Sequence, residues 1–203
     1  MDEPALIREA QHGDLDSFNR LVMEYQSVVY NVAYRIMGEG DSASDAAQEA
    51  FISAYKNLTG YRGGSFKGWL LRIVTNACYD ELRRRKRRPA TSLEALSVVE
   101  TGPDAEGDAQ LASDIESPEH HTDRVELGGA IQRCLDDLPD DQRQAIVLCD
   151  IQEMDYSEIA AIMHTALGTV KSRIARARLK LRDCLQHHQE LLPSHYRLEE
   201  EHL

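Results

Sequence analysis

The side chains of this chain best suited to chemistry are cationic, and they fall in two places. Arg83, Arg84, Arg85, Lys86, Arg87 and Arg88 are consecutive, and Lys171, Arg173, Arg176, Arg178, Lys180 and Arg182 recur at short intervals. Guanidinium and ammonium groups in such density bind phosphate, and an arginine placed bidentate on a guanine edge is worth about 1–3 kcal/mol of discrimination. In Gly168–Leu181, helical spacing puts Val170, Ile174, Ala177 and Leu181 on one face and Thr169, Arg173, Arg176 and Lys180 on the other. One face packs and the other meets anions. Nothing marks covalent chemistry. No nucleophile–base pair or metal set is apparent, and Gly63-Gly64 follows a helix rather than a strand, so it is no phosphate cradle. No enzyme activity, cofactor or metal is expected.

The basic face needs an element to aim it. Tyr156–Met163 reads as a short helix with Ile159 and Met163 turned inward, three or four residues remain for a turn, and Ala160 is small where two steeply crossing helices must approach. That is the pattern of a helix-turn-helix, whose second helix enters the major groove. His164 occupies the turn position where backbone of positive φ is common, which histidine tolerates better than β-branched residues do. A basic amphipathic helix read by itself is more often a solvated face; the paired helices shift the balance to DNA.

The rest of the chain is helical in pattern. A hydrophobic fraction of 42% with 6% aromatics suits aliphatic helical cores, and no apolar run is long enough for a membrane span. Cytoplasmic residence is expected. Ala5–Gln11 forms a short helix; Asp14 or Asp16 caps a long one to about Met37; Ser42 or Ser44 caps a third, Asp45–Leu58; and Phe66 opens a fourth that ends in the basic run near Arg87. Trp69 is expected in the core. Asp45, Gln48 and Glu49 lie off the apolar stripe of the third helix, near its positive end, where their acidity has a local use. Pro89 to about Thr122 has the composition of a linker, rich in Pro, Gly, Ser and acid and without Lys or Arg. A second set of helices follows, one from near Asp123 packing through Val125, Leu127, Ile131, Cys134 and Leu135, one over Gln142–Ile151, then the helix pair. Cys78, Cys134, Cys149 and Cys184 are widely spaced without C-x-x-C, which suits reduced, buried thiols. The fold is therefore all-α: two small helical domains joined by a flexible acidic linker. A formal net charge of −12 opposes autonomous DNA binding and points to a partner that brings the chain to the duplex.

Four stretches together resemble the extracytoplasmic-function (ECF) subfamily of sigma-70 factors of bacterial RNA polymerase. Asp45–Tyr55 looks like the polymerase-binding helix, Tyr61–Asn76 like the promoter-melting segment, and Leu138–Arg143 with Tyr156–Arg178 like the second domain. The resemblance implies residues 1–88 as sigma region 2, 89–122 as linker, 123–186 as region 4 and 187–203 as a tail. It implies that Asp45, Gln48 and Glu49 face the clamp helices of the largest polymerase subunit, with region 4 at the flap. Tyr61, Arg62, Ser65 and Phe66 would hold a base flipped from the minus-ten element, Asn76 would read it, and Arg83, Arg84, Arg85 and Lys86 would meet phosphate. Thr169, Lys171, Ser172, Arg173 and Arg176 would meet the minus-thirty-five element, with Arg178 and Lys180 at phosphate. Promoter DNA, core polymerase and an anti-sigma protein are the implied partners, and the acidic linker would imitate nucleic acid in the polymerase channels.

Two alternatives stay open on the residues. An autonomous helix-turn-helix regulator would bind operators without polymerase. A small metal-dependent enzyme would use Cys184, His187, His188 and the acidic residues.

Overall fold

The computed structural model describes residues 2–87 and 118–192, with side chains from Arg124 onward in the second stretch. The described residues contain helices and no strand, in two compact units, Met1–Gly102 and Pro103–Leu203. The expected linker over 89–122 lies outside the described residues except for its last five positions, as does the tail beyond 192.

The first unit holds α1 (Glu3–Gln11), α2 (Leu15–Met37), α3 (Gly40–Asn57) and α4 (Phe66–Arg87). Local chemistry fixes the ends. Asp2 caps α1 by accepting from the Ala5 amide at 3.1 Å, and Asp14 caps α2 by accepting from the Ser17 amide at 2.9 Å. Gly38 closes α2 at φ 76°, where an L side chain is strained, and its amide donates to the Tyr34 carbonyl. The chain then turns at once into α3, which starts at Gly40 rather than at Asp45. Neither Ser42 nor Ser44 is the cap. Glu39 stands at the N-cap, and Ser42 donates to its Oε2 at 2.7 Å from inside the first turn.

The core of this unit is set by α3. Ala43, Ala46, Ala47, Ala50 and Ala54 are all buried, opposite Val29, Val32, Ala33 and Ile36 of α2 and Leu70, Leu71, Val74 and Cys78 of α4. Alanine at these five inward positions, with Ser42 also buried, lets the neighbouring backbones approach closely, while the larger residues of α2 and α4 supply the apolar area, about 1.5–3 kcal/mol per fully buried aliphatic side chain. Trp69 is only half-buried, against expectation.

The second unit holds α5 (Pro118–Asp136), α6 (Asp140–Ile146), α7 (Tyr156–Ile162) and α8 (Leu167–Leu185). Helix α5 begins five residues before the expected Asp123, because Pro118 is well suited to a first helical turn, where its missing N–H costs nothing. Val125, expected inside, is 43% exposed; Cys134 and Leu135 are buried as expected, with Ala130 on α5 and Leu138 just past its end buried beside them. Arg143 explains the Leu138–Arg143 motif. Only 7% exposed, it donates to the Asp136 carbonyl at 2.7 Å and to the Asp136 carboxylate at 3.2 Å, closing the C-terminal end of α5 and fixing the corner into α6.

The expected helix over Gln142–Ile151 is α6 followed by a π turn, Val147–Ile151, and Gln186–Leu191 continues α8 as a 3-10 turn. Cys134 and Cys184 are joined as a disulfide between α5 and α8, contrary to the expectation of four thiols. The spacing of 50 residues conceals the pairing, which follows from α5 and α8 meeting only in the folded unit. Its sulfur engaged, Cys184 does not act as the metal ligand that the enzyme alternative requires.

Burial pushes the Cys78 thiol up to about 12 and the Cys149 thiol up to about 11, so neither is a ready nucleophile at neutral pH. Thiol titration of the air-equilibrated chain should therefore give little reaction in the native state, two thiols after unfolding, and four after unfolding with reductant. Four without reductant would show that Cys134 and Cys184 are not paired.

Candidate nucleic-acid and protein interfaces

On α3 the residues opposite the alanine stripe are Asp45, Gln48 and Glu49, all exposed, and none has a hydrogen bond or ion pair among the described residues. Because α3 starts at Gly40, they lie one to three turns inside the helix and cap nothing. Ile52 extends the same line, 41% exposed, with Tyr55 beside it. This apolar continuation was missing from the residues singled out by sequence, although its i, i+3, i+4, i+7 spacing from Asp45 carries the signal.

The expected base-holding loop follows the 3-10 turn Leu58–Gly60. Gly63 and Gly64 sit at φ 101° and 95°, so a side chain at either would be strained. The Tyr61 hydroxyl donates to the Gly64 carbonyl at 2.7 Å, and Ser65 Oγ accepts the Gly68 amide at 3.0 Å. Arg62 and Ser65 are exposed, whereas Phe66 is buried at the base of the loop, its ring against Tyr25, Tyr61 and Trp69. Phe66 thus supports the loop from below and offers no face to a base. The half-buried Trp69, which also meets Tyr61, is one of the partly exposed rings of this cluster, with Tyr25 and Tyr61.

Asn76 is not brought to the loop. Ten residues down α4 from Phe66, or about 15 Å along the axis, it lines a groove between α3 and α4 together with Asp45, Gln48, Glu49, Ile73 and Asp80. The groove encloses about 760 Å³. No local pattern of residues reveals that Asn76 and the acidic face of α3 share a cleft.

The basic end of α4 is less uniform than its sequence. Arg83 lies over the Tyr79 ring at 4.4 Å, and Arg84 pairs with Glu81 at 2.7 Å. Arg85 is tied inward: it reaches Glu81 and Glu39, each at 3.1 Å, and donates to Ser42 Oγ. Hydrogen bonds from Ser42 and then from Arg85 hold Glu39 below the usual carboxylate range. Arg85 is therefore a clasp between the end of α4 and the start of α3, with three acceptors already around its guanidinium, rather than a side chain held out to phosphate. Lys86 and Arg87 are exposed.

In the second unit the helix-turn-helix pattern is realised by α7 and α8. Asp155 caps α7 in a capping box with Glu158, and His164 sits at φ 48° in the turn, as its position suggested. Ile159 and Ile162 are buried rather than Ile159 and Met163. Val170, Ile174 and Ala177 anchor α8. At 100° per residue from the apolar anchor, Ser172 and Arg176 point outward, Thr169, Lys180 and Arg173 lie on one flank, and Lys171 and Arg178 on the other.

Two of these cations are engaged. Arg173 Nε meets Asp141 in the first turn of α6 at 2.8 Å. Arg178 makes a fork on Asp150 of the π turn, 2.6 and 3.0 Å. The π turn widens the chain so that Asp150 faces α8. These ion pairs aim the helix, one from each flank, and leave Thr169, Lys171, Ser172 and Arg176 without ion pairs among the described residues.

The family model of sigma-70 region 2 matches residues 21–88, and that of sigma-70 region 4 matches residues 128–181. The chain is 39% identical over 174 residues to the ECF RNA polymerase sigma factor SigE of Mycolicibacterium smegmatis, covering 86% of this chain and 63% of that protein. It is 39% identical over 182 residues to the RNA polymerase sigma-H factor of Pseudomonas aeruginosa, covering 89% of this chain and 92% of that one. Its fold is similar to that of the sigma factor RpoE solved in complex with the anti-sigma factor NepR from Bartonella quintana, with a TM-score of 0.60 at 24% identity over 83% of this chain and 96% of that one.

Hydrogen bonds from Arg178, the largest influence, hold the Asp150 carboxyl below its usual range. A lowered folded value means that the pair stabilises the second unit above the ordinary carboxylate pKa and that this contribution is lost as pH falls through the lowered value. Asp150→Asn should therefore flatten the acid limb of that unit's stability below about pH 4, measured by denaturant unfolding across pH. An unchanged acid limb would mean that the fork contributes nothing in solution.

Proposed function

The chain belongs to the ECF sigma factors of the sigma-70 family, and from that membership we propose how its surfaces divide the work of initiation. Residues 1–88 act as region 2 and residues 123–186 as region 4, with 89–122 between them and 187–203 as a tail. The acidic line Asp45, Gln48, Glu49, extended by Ile52, docks on the clamp helices of core RNA polymerase. The second unit engages the polymerase flap while it reads the minus-thirty-five element. The observation that carries this reading is the exposed acidic face of α3: three polar side chains well inside a helix, with no hydrogen bond or ion pair among the described residues.

The loop from Tyr61 to Ser65 holds a base extruded from the minus-ten element, with Trp69 as the ring beneath it. Extrusion costs a few kcal/mol of stacking and pairing, so the loop must repay it by hydrogen bonding. Arg62 and Ser65 are exposed to do so. Asn76 contacts the strand farther along the groove, and Arg83, Arg84 and Lys86 meet phosphate, with Arg85 positioning α3. Thr169, Lys171, Ser172 and Arg176 approach base edges and nearby phosphates in the major groove, and Arg173 and Arg178 hold the helix at its angle. No step makes or breaks a covalent bond in the protein. RpoE of Bartonella quintana is bound by an anti-sigma factor, which supports an anti-sigma protein as the inhibitor here. Work on promoter DNA places the chain in the cytoplasm; no described helix is long and apolar enough to cross a membrane.

Charge reversal at Asp45→Lys with Glu49→Lys should weaken binding to sigma-free core polymerase at least tenfold, about 1.4 kcal/mol, with an unchanged melting temperature, while Arg176→Ala leaves core binding intact and lowers the salt slope of promoter binding by about one. Core binding untouched by the double reversal would contradict the assigned face. Tight binding to duplex without polymerase would favour the autonomous regulator instead.

A further inference from the structure

Gln11 ends α1, outside both regions that the family models match. Its side-chain amide nevertheless reaches nearly fifty residues along the chain. Nε2 donates to the backbone carbonyls of Leu58 and Tyr61, each at 3.0 Å. An amide nitrogen carries two protons, so both are spent on this stretch. Leu58 opens the 3-10 turn and Tyr61 is the first residue after it, so the two bonds fix the point where the chain leaves the turn and enters the loop. The Leu58 carbonyl also accepts the Tyr61 amide at 3.0 Å, so Gln11 locks a turn already closed on itself.

The support beneath Gln11 is firm. Leu6, Ile7 and Ala10 of α1 are buried, and the Tyr25 hydroxyl of α2 donates to Glu3 at the other end of α1. The Tyr25 ring in turn packs on Phe66 at 5.5 Å, where the loop ends. Helix α1 is thus linked to both ends of the loop, directly through Gln11 at Tyr61 and through Glu3 and Tyr25 at Phe66. Between those points lie Arg62, two glycines of positive φ and Ser65, all exposed, a stretch with wide conformational freedom of its own. A loop whose ends are fixed in advance loses less entropy when it closes on a ligand, and holds its hydrogen-bonding groups at one spacing.

We propose that Gln11 is a positioning residue for promoter opening: by fixing the Tyr61 end of the loop, it sets the geometry with which the loop selects the extruded base. The inference rests on the reading of that loop as the base-holding element. Gln11 touches no DNA in this account and acts through Tyr61.

The test uses the full chain assembled with core polymerase on a promoter found by start-site mapping, with each of the four bases placed in turn at each minus-ten position. Open-complex formation is followed by permanganate reactivity. Gln11→Met keeps the side chain's length and removes both donors; Gln11→Lys restores a donor; Arg62→Ala alters the loop itself. The expected result is that Gln11→Met loses about fivefold of the preference for the favoured base at the loop-facing position, as two lost neutral hydrogen bonds allow, that Gln11→Lys recovers part of it, and that core affinity is unchanged. Wild-type preference in Gln11→Met while Arg62→Ala loses preference would overturn the role of Gln11 and leave the loop reading standing. Equal slowing on every promoter, with preference intact, would reduce Gln11 to a purely structural residue and overturn the proposal. If neither variant alters preference at any position, the loop reading itself fails, and the proposal with it.

Discussion

Close approach through alanine is the constraint on which the first unit depends. Five buried alanines on one side of α3 let it lie tightly between α2 and α4. A helix packed this way has one inner face made of methyl groups and one outer face free of packing duty. The outer face can then carry acid and amide groups chosen for a partner. The same tight seat opens the groove between α3 and α4, where Asn76 and the acidic line come together. Larger inward residues would push α3 outward and change both the height of its acidic face and the width of that groove. Arg85, bridging Glu39, Ser42 and Glu81, secures the N-terminal end of the same helix.

The second unit solves a comparable problem with charge. Helix α8 has a narrow apolar anchor of Val170, Ile174 and Ala177, and the Cys134–Cys184 bond ties its C-terminal end to α5. Arg173 on Asp141 and Arg178 on Asp150 hold it from opposite flanks. These cations look from sequence like DNA contacts, yet their immediate partners are internal carboxylates. In both units part of the basic charge is therefore consumed in orienting elements, leaving fewer cations for phosphate in a chain already at net −12. That balance is the physical reason the proposed function has promoter binding depend on polymerase.

What was legible in the sequence was what depends on local pattern. Helix ends at Asp14, Gly38 and Phe66, the helix-turn-helix and the positive φ at His164 all follow from residues within a few positions of one another. What was hidden depends on contacts between distant segments. The Cys134–Cys184 bond, the Arg85 clasp, the inward turn of Phe66 and the separation of Asn76 from the loop each require knowing which helices meet. The early start of α3 was missed for a different reason: Ser42 and Ser44 are good caps, but the tight turn at Gly38 leaves no room for an uncoiled segment before Gly40. In α5, Cys134 and Leu135 are buried as expected, whereas Val125, about 180° round the helix from Cys134, faces outward.

Whether this chain directs core polymerase to promoters is decided by transcription in vitro from fragmented genomic DNA with the purified chain and sigma-free core, sequencing the 5′ ends of the products. Starts preceded at fixed spacing by two shared elements, absent when either component is omitted, are expected. Starts that are identical with and without the chain would contradict that role.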